Sequence, residues 1–217
     1  MLDEPIVLYT EAFWQSPWDC SCWVALREKG VPFARSVASL QKSGINAQLA
    51  AQVLAPRVPA LQHGSFFLVE SVAIVEYLDE IFPAPRFPAL LPRHPRDRAR
   101  ARQIMLFART ALTDMRRERP SWMMFYDASP LPLGHDAVLD ADELIAAASR
   151  LLVGRDGAFA FGDFSIADVD LAFSLQRLRK TGTVLPPEVT AYVDRVWTRP
   201  SVKEFVDHPR PPNPPVL

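Results

Sequence analysis

The sequence is short of the features that mark secreted, membrane-spanning or nucleic-acid-binding chains. Cys20 and Cys22 are its only cysteines in 217 residues. They are too few and too close to staple a secreted fold, and C-x-C is neither a redox C-x-x-C nor a zinc set. No run approaches the roughly eighteen apolar residues that a membrane span needs. The start, MLDEPIVLYTEAFW, has neither the basic opening nor the apolar stretch of a secretory signal, so the expected compartment is the cytoplasm. Charge of one sign is also missing: 24 basic against 25 acidic residues leave a formal charge of -1. That balance gives no global pull toward nucleic acid or an anionic membrane. The four histidines, His63, His94, His135 and His208, are scattered without metal-ligand spacing, and no metal is implied.

What is present is an ordinary globular composition, 49% apolar and 23% charged, with 21 prolines against 8 glycines. Prolines cluster from Pro83 to Pro95 and from Pro200 to Pro215. Because proline fixes φ and disfavours helix before it, the first cluster reads as a stiff linker and the second as an extended tail.

Along the chain, Ile6–Thr10 is a β-rich run entered through Pro5. Ser16-Pro17-Trp18 reads as a helix start, with serine as N-cap and proline at the first helical position. Cys20, Trp23, Val24 and Leu26 give that helix an inward stripe before Gly30 ends it. Phe33–Ala38 reads as a second strand and Asn46–Leu54 as a short irregular helix. Val58–Gln62 and Phe66–Val69 form a hairpin about His63-Gly64-Ser65, and Ser71 opens a further helix to Phe82. The order is β-α-β-α-β-β-α, in which the first crossover makes two strands parallel and the hairpin adds an antiparallel pair. Beyond the linker only helical periods remain: Pro95–Arg117, Ala137–Leu152, Ile166–Thr181, Glu188–Trp197 and Val202–Val206. The expected organisation is residues 1–83, a linker at 84–94, and an all-helical second domain at 95–217 with the proline-rich tail.

Four motifs in this order resemble the glutathione S-transferase superfamily over essentially the whole chain. They are LYT followed by a Ser16-Pro17 helix start, Arg57-Val58-Pro59-Ala60-Leu61, Glu70-Ser71 opening a helix, and Phe164-Ser165-Ile166-Ala167-Asp168. Trp23-Val24-Ala25-Leu26-Arg27-Glu28-Lys29-Gly30 resembles a bacterial branch with serine at the catalytic position. The resemblance implies an α/β plus all-α architecture: a thioredoxin-like N-terminal domain that binds glutathione and a helical-bundle C-terminal domain. It also implies a homodimer, a role in detoxification, and attack on an electrophile or, as a side activity, a peroxide.

The chemistry needs glutathione as thiolate, and an ordinary thiol titrates near ~8.5. A hydroxyl aimed at the sulfur from the positive end of a helix favours the anion twice over. Ser16 fits that role; read without the family it is a helix cap, and the two roles compete for one hydroxyl. Cys20 is the rival nucleophile, for a glutathione-dependent thiol reductase, but it and Cys22 read as buried small hydrophobes. Tyr9 reads as packed in its strand. The resemblance makes Val58-Pro59 a cis bond presenting Val58 to the peptide backbone, and gives the γ-glutamyl end to Glu70 and Ser71. Lys42 or Arg57 is the cation for the glycyl carboxylate. Trp14, Trp18, Met115, Arg119, Trp122 and Phe125 are candidates for the second-substrate pocket, against core packing as the plainer reading. Asp168, in an S-x-x-D capping box, reads as structural. The arginines from Arg93 to Arg119 read as a solvated face. A non-catalytic interaction module on the same fold is the remaining alternative.

Overall fold

A computed structural model describes residues 4–38, 53, 55–126, 130–153 and 158–212. The chain divides into two compact units, one of Met1–Leu90 with Glu204–Pro212 and one of Leu91–Lys203 with Asn213–Leu217. Residues Glu204–Pro212 thus join the first unit, where a tail attached to the helical domain is expected from sequence. Lys42 and the helix expected at 46–54 lie outside the described residues, Val53 apart.

The first unit has the thioredoxin-like arrangement. It is built from β1 (Ile6–Thr10), α1 (Pro17–Lys29), β2 (Ala34–Val37), β3 (Ala60–His63), β4 (Phe66–Val69) and α2 (Ser71–Ile81). The sheet order is β2-β1-β3-β4, with β1 parallel to β2 and antiparallel to β3, and β3 antiparallel to β4. Register sorts the side chains by face: Leu8 pairs with Leu61, while Tyr9 pairs with Ala60 and Ala60 with Val69. The Leu8 face lies under α1 and α2, and His63 on it meets the Tyr77 hydroxyl at 2.8 Å. On the opposite face Ala60, Phe67 and Val69 make a small cluster against Tyr9 and Val53. Tyr9 is half-buried and donates to Gln62 Oε1 at 2.8 Å, so it serves the sheet. Gly30 ends α1 with φ 64, a conformation that glycine takes without steric cost.

Lys29, at the end of α1, is a buried cation with every donor used. Its Nζ meets Asp79 Oδ1 at 2.8 Å, Phe82 O at 2.6 Å and Pro88 O at 2.7 Å. Asp79 Oδ1 also accepts Leu90 N at 2.8 Å, so one ion pair pins α1, α2 and the proline-rich linker together.

The second unit holds α3 (Pro95–Thr110), α4 (Thr113–Glu118), a 3-10 turn (Ser121–Met124), α5 (His135–Leu152), α6 (Ile166–Lys180) and α7 (Pro187–Trp197). The last helix, α8 (Pro200–Val206), crosses the division between units, and Pro200 opens it instead of extending the chain. The single helix expected over Pro95–Arg117 is broken at Leu112, whose ψ of 50 leaves the helical range. Asp140 of α5 makes the break tenable, because its Oδ2 accepts Asp114 N at 2.9 Å and Met115 N at 3.0 Å. The core helix α6 is buried continuously from Ile166 to Leu178. Its capping box forms, and Asp168 also accepts from Ala160 N and the Tyr192 hydroxyl, each at 2.8 Å. Burial pushes the Asp168 carboxyl up, against the pull of these hydrogen bonds, and its work is structural. The arginine face is solvated in part: Arg93, Arg96, Arg100 and Arg117 are exposed, whereas Arg109 of α3 is paired with buried Asp170 and Arg119 is 5% exposed. No described helix is long and apolar enough to cross a membrane.

Candidate active site

Register places three chain segments at one end of the sheet. Tyr9, Ala60 and Val69 lie across from one another, so the end of β1, the start of β3 and the end of β4 coincide. The loop 11–16, the Val58-Pro59 dipeptide and Glu70-Ser71 therefore emerge together. The N-termini of α1 and α2 follow two of these segments directly, and helix N-termini favour negative charge.

Loop 11–16 is held from three sides. From within, the Glu11 carboxylate accepts the N–H groups of Phe13, Gln15 (2.8 Å) and Ser16 (3.1 Å). From β2, Arg35 donates to Thr10 Oγ1 at 2.7 Å and Glu11 O at 2.6 Å, and its guanidinium lies 4.0 Å from the centre of the Trp14 ring. From the C-terminal segment, Arg210 Nη2 and Nε reach Trp14 O at 2.8 and 3.2 Å. Trp14 itself has φ 52, a left-handed conformation that is strained for a bulky residue. Its ring packs against Trp23 (4.9 Å), Phe205 (5.2 Å) and His208 (3.7 Å). Partial burial, then Arg35 and Arg210, push the His208 imidazole below its ordinary value.

Ser16 caps α1: it is half-buried, and its Oγ accepts Asp19 N at 3.2 Å. That bond uses a lone pair and leaves the O–H proton without an acceptor among the described residues. Capping and donation to a sulfur thus use different parts of one hydroxyl. Beneath it, Asp19 is fully buried, accepts Glu11 N at 2.8 Å through Oδ2, and leaves Oδ1 unpartnered. Burial, and then the charge of Glu11, push the Asp19 carboxyl well above its ordinary value.

The Val58-Pro59 bond is cis, and Val58 has no backbone hydrogen-bond partner among the described residues. Glu70 is the N-cap of α2 with φ 70 and forms no side-chain cap. Its carboxylate meets Arg57 at 3.1 Å, with the two side chains 63% and 58% exposed. A pair that open is worth little in water and yields readily to a ligand. Ser71 is buried at the first turn of α2, with Cys22 Sγ 3.9 Å from its carbonyl.

The structure thus gathers Ser16, Arg57, Val58, Pro59, Glu70 and Ser71 at one sheet end. Trp14 is packed in the aromatic cluster at 5% exposure, and Trp18 is half-buried on α1. In the helical unit Met115 is sealed on α4, while Trp122 and Phe125 are half-buried, Phe125 with its ring 6.2 Å from Phe173. Arg119 donates to the carbonyls of Glu118 and Leu131. Cys20 and Cys22 are both fully buried. Glu11, Asp19, Arg35 and Arg210 are site residues that sequence reasoning passed over. Glu11, an acid directly after an apolar strand and before two aromatics, carried a signal; Arg210, in a proline-rich tail, carried none.

Residues 12–86 match the family model for the glutathione S-transferase N-terminal domain, and residues 95–209 the one for its C-terminal domain. The chain belongs to the glutathione S-transferase family. A glutathione transferase homologue from Burkholderia GL BGR1, solved with bound glutathione, superposes with a TM-score of 0.78 at 38% identity, covering 94% of this chain and 97% of that one. Protein IN2-1 of Zea mays is 29% identical over 196 residues, 88% of this chain and 71% of its own. Glutathione S-transferase U22 of Arabidopsis thaliana is 36% identical over 113 residues, and U16 is 38% identical over 89. The matches span 49% and 38% of those two relatives, less than half of each.

Proposed function

We propose that this glutathione S-transferase binds glutathione across the sheet end of its first unit and ionises the thiol beside Ser16. Val58 pairs with the cysteinyl backbone. Glu70 takes the γ-glutamyl ammonium, and Ser71 with the α2 N-terminus takes its carboxylate. Lys42 or Arg57 answers the glycyl carboxylate. The thiolate then attacks an electrophile or a peroxide, for which Trp18, Trp122 and Phe125 are the more open candidate contacts and Trp14, Met115 and Arg119 the packed ones. The observation that carries this reading is the Ser16 hydroxyl at the head of α1, with its oxygen engaged and its proton without an acceptor among the described residues. The burial of Cys20 weighs against a reductase that uses that thiol. The cytoplasm is the proposed location and removal of reactive electrophiles the proposed role.

Pairing of two copies is part of the proposal. It rests on the resemblance to the family. Light scattering would read the expected dimer mass, and a monomer at working concentration would remove it.

The function is tested by titrating thiolate absorbance of glutathione bound to the protein. A bound thiol that ionises below ~8.5 is expected. Glutathione that does not bind, with the fold intact, would leave the interaction-module reading instead.

A further inference from the structure

Arg177 of α6 is 5% exposed, its Nε is sealed without a partner, and its guanidinium makes no hydrogen bond or ion pair among the described residues. Two acids of this unit have other partners, and Asp140 also lends its charge to Arg116. Asp170 is paired with Arg109, and Asp140 accepts the N–H groups of Asp114 and Met115. The charge that acts on Arg177 is the like charge of Arg116, and after the larger effect of burial it helps push the guanidinium down to about 10. Arg177 is therefore still a cation at neutral pH. A buried cation beside another cation is costly unless an anion answers it.

The surroundings give the class of anion. Phe173 lies one turn before Arg177 on the same helix face, with its ring 6.2 Å from Phe125 and 5.6 Å from Trp197. A guanidinium fork beside an aromatic cluster suits a planar carboxylate attached to an apolar body. We propose that Arg177, with Arg116 beside it, forms a carboxylate-binding subsite in the helical unit that takes a small, apolar organic acid. The subsite stands on this unit alone and holds whether or not Ser16 ionises glutathione.

Benzoate is the probe, with benzamide, chloride and inorganic phosphate in parallel, added to the full chain. The Arg177 Nε–H resonance, assigned by its loss in Arg177→Lys, and the unfolding temperature are the readouts. Benzoate is expected to shift that resonance and raise the unfolding temperature saturably, while benzamide does neither. Arg177→Met and Arg177→Lys are each expected to weaken benzoate binding by about tenfold or more, the loss of a charge-assisted fork. The resonance in the wild-type protein decides the matter even where Arg177→Met does not fold. Failure of benzoate to shift it would overturn the proposal, as would a variant that binds benzoate like the wild type. An equal response to chloride or phosphate would overturn the assignment to carboxylates.

Discussion

Two substitutions at Ser16 separate its roles, because alanine and glycine differ as caps but not as hydrogen-bond donors. The Oγ accepts Asp19 N at 3.2 Å, and losing such a cap to alanine costs about 1 kcal/mol, whereas glycine loses only a few tenths. The O–H donated to a thiolate is a bond to a charged group, worth about 1.5–3 kcal/mol. At roughly 1.4 kcal/mol per tenfold, its loss lowers the thiolate-limited rate about 10- to 150-fold and raises the bound thiol's pKa by about one to two units. Ser16→Ala and Ser16→Gly are thus expected to lose activity alike, while only Ser16→Ala loses about 1 kcal/mol of stability. The assay is turnover of an activated aryl halide against pH, with urea unfolding of each variant alongside. A glycine variant as active as wild type, beside an impaired alanine variant, would reduce Ser16 to a cap and refute the thiolate role.

Other predictions rest on the buried charges of the same unit. Burial pushes the Asp19 carboxyl up, so the folded protein holds its proton to higher pH than the unfolded chain, which releases it above about pH 4, and wild-type stability falls as pH rises from there. Asp19→Asn lacks the titration; its advantage in urea midpoint should be small at pH 4 and larger at pH 7, and a gap that ignores pH would count against an upward shift at Asp19. Asp79→Ala strands the Lys29 ammonium, whose side chain is fully buried, and is expected to cost about 3–5 kcal/mol in chemical denaturation; a loss under 1 kcal/mol would mean that the two carbonyls suffice. Arg210→Ala frees the Trp14 carbonyl and lets the strained loop relax. Its turnover should fall while glutathione binding changes little, with Tm down by roughly 2–4 °C for each kcal/mol lost; equal losses in binding and turnover would show a general loosening.

The legible parts of this fold are those written by neighbours in the chain. Ser16, Pro17 and Gly30 set both ends of α1, and Ser165 with Asp168 starts α6, because caps act over three or four residues. The break at Leu112 was illegible, since the apolar period runs on through Met115 and the group that tolerates the break, Asp140, arrives from α5. The Ser16 loop divides in the same way. Its serine is visible at the helix start, but the conformation that aims it depends on Arg35 across the sheet and Arg210 almost two hundred residues on. Period and motif report what a segment prefers by itself, and Trp14 at φ 52 is what no tryptophan prefers. A residue held against its preference must be held by something distant. The positive φ of Trp14 therefore marks where the Ser16 loop beside the proposed glutathione site is set by tertiary contacts, so substitutions distant in sequence should reach the reaction through it.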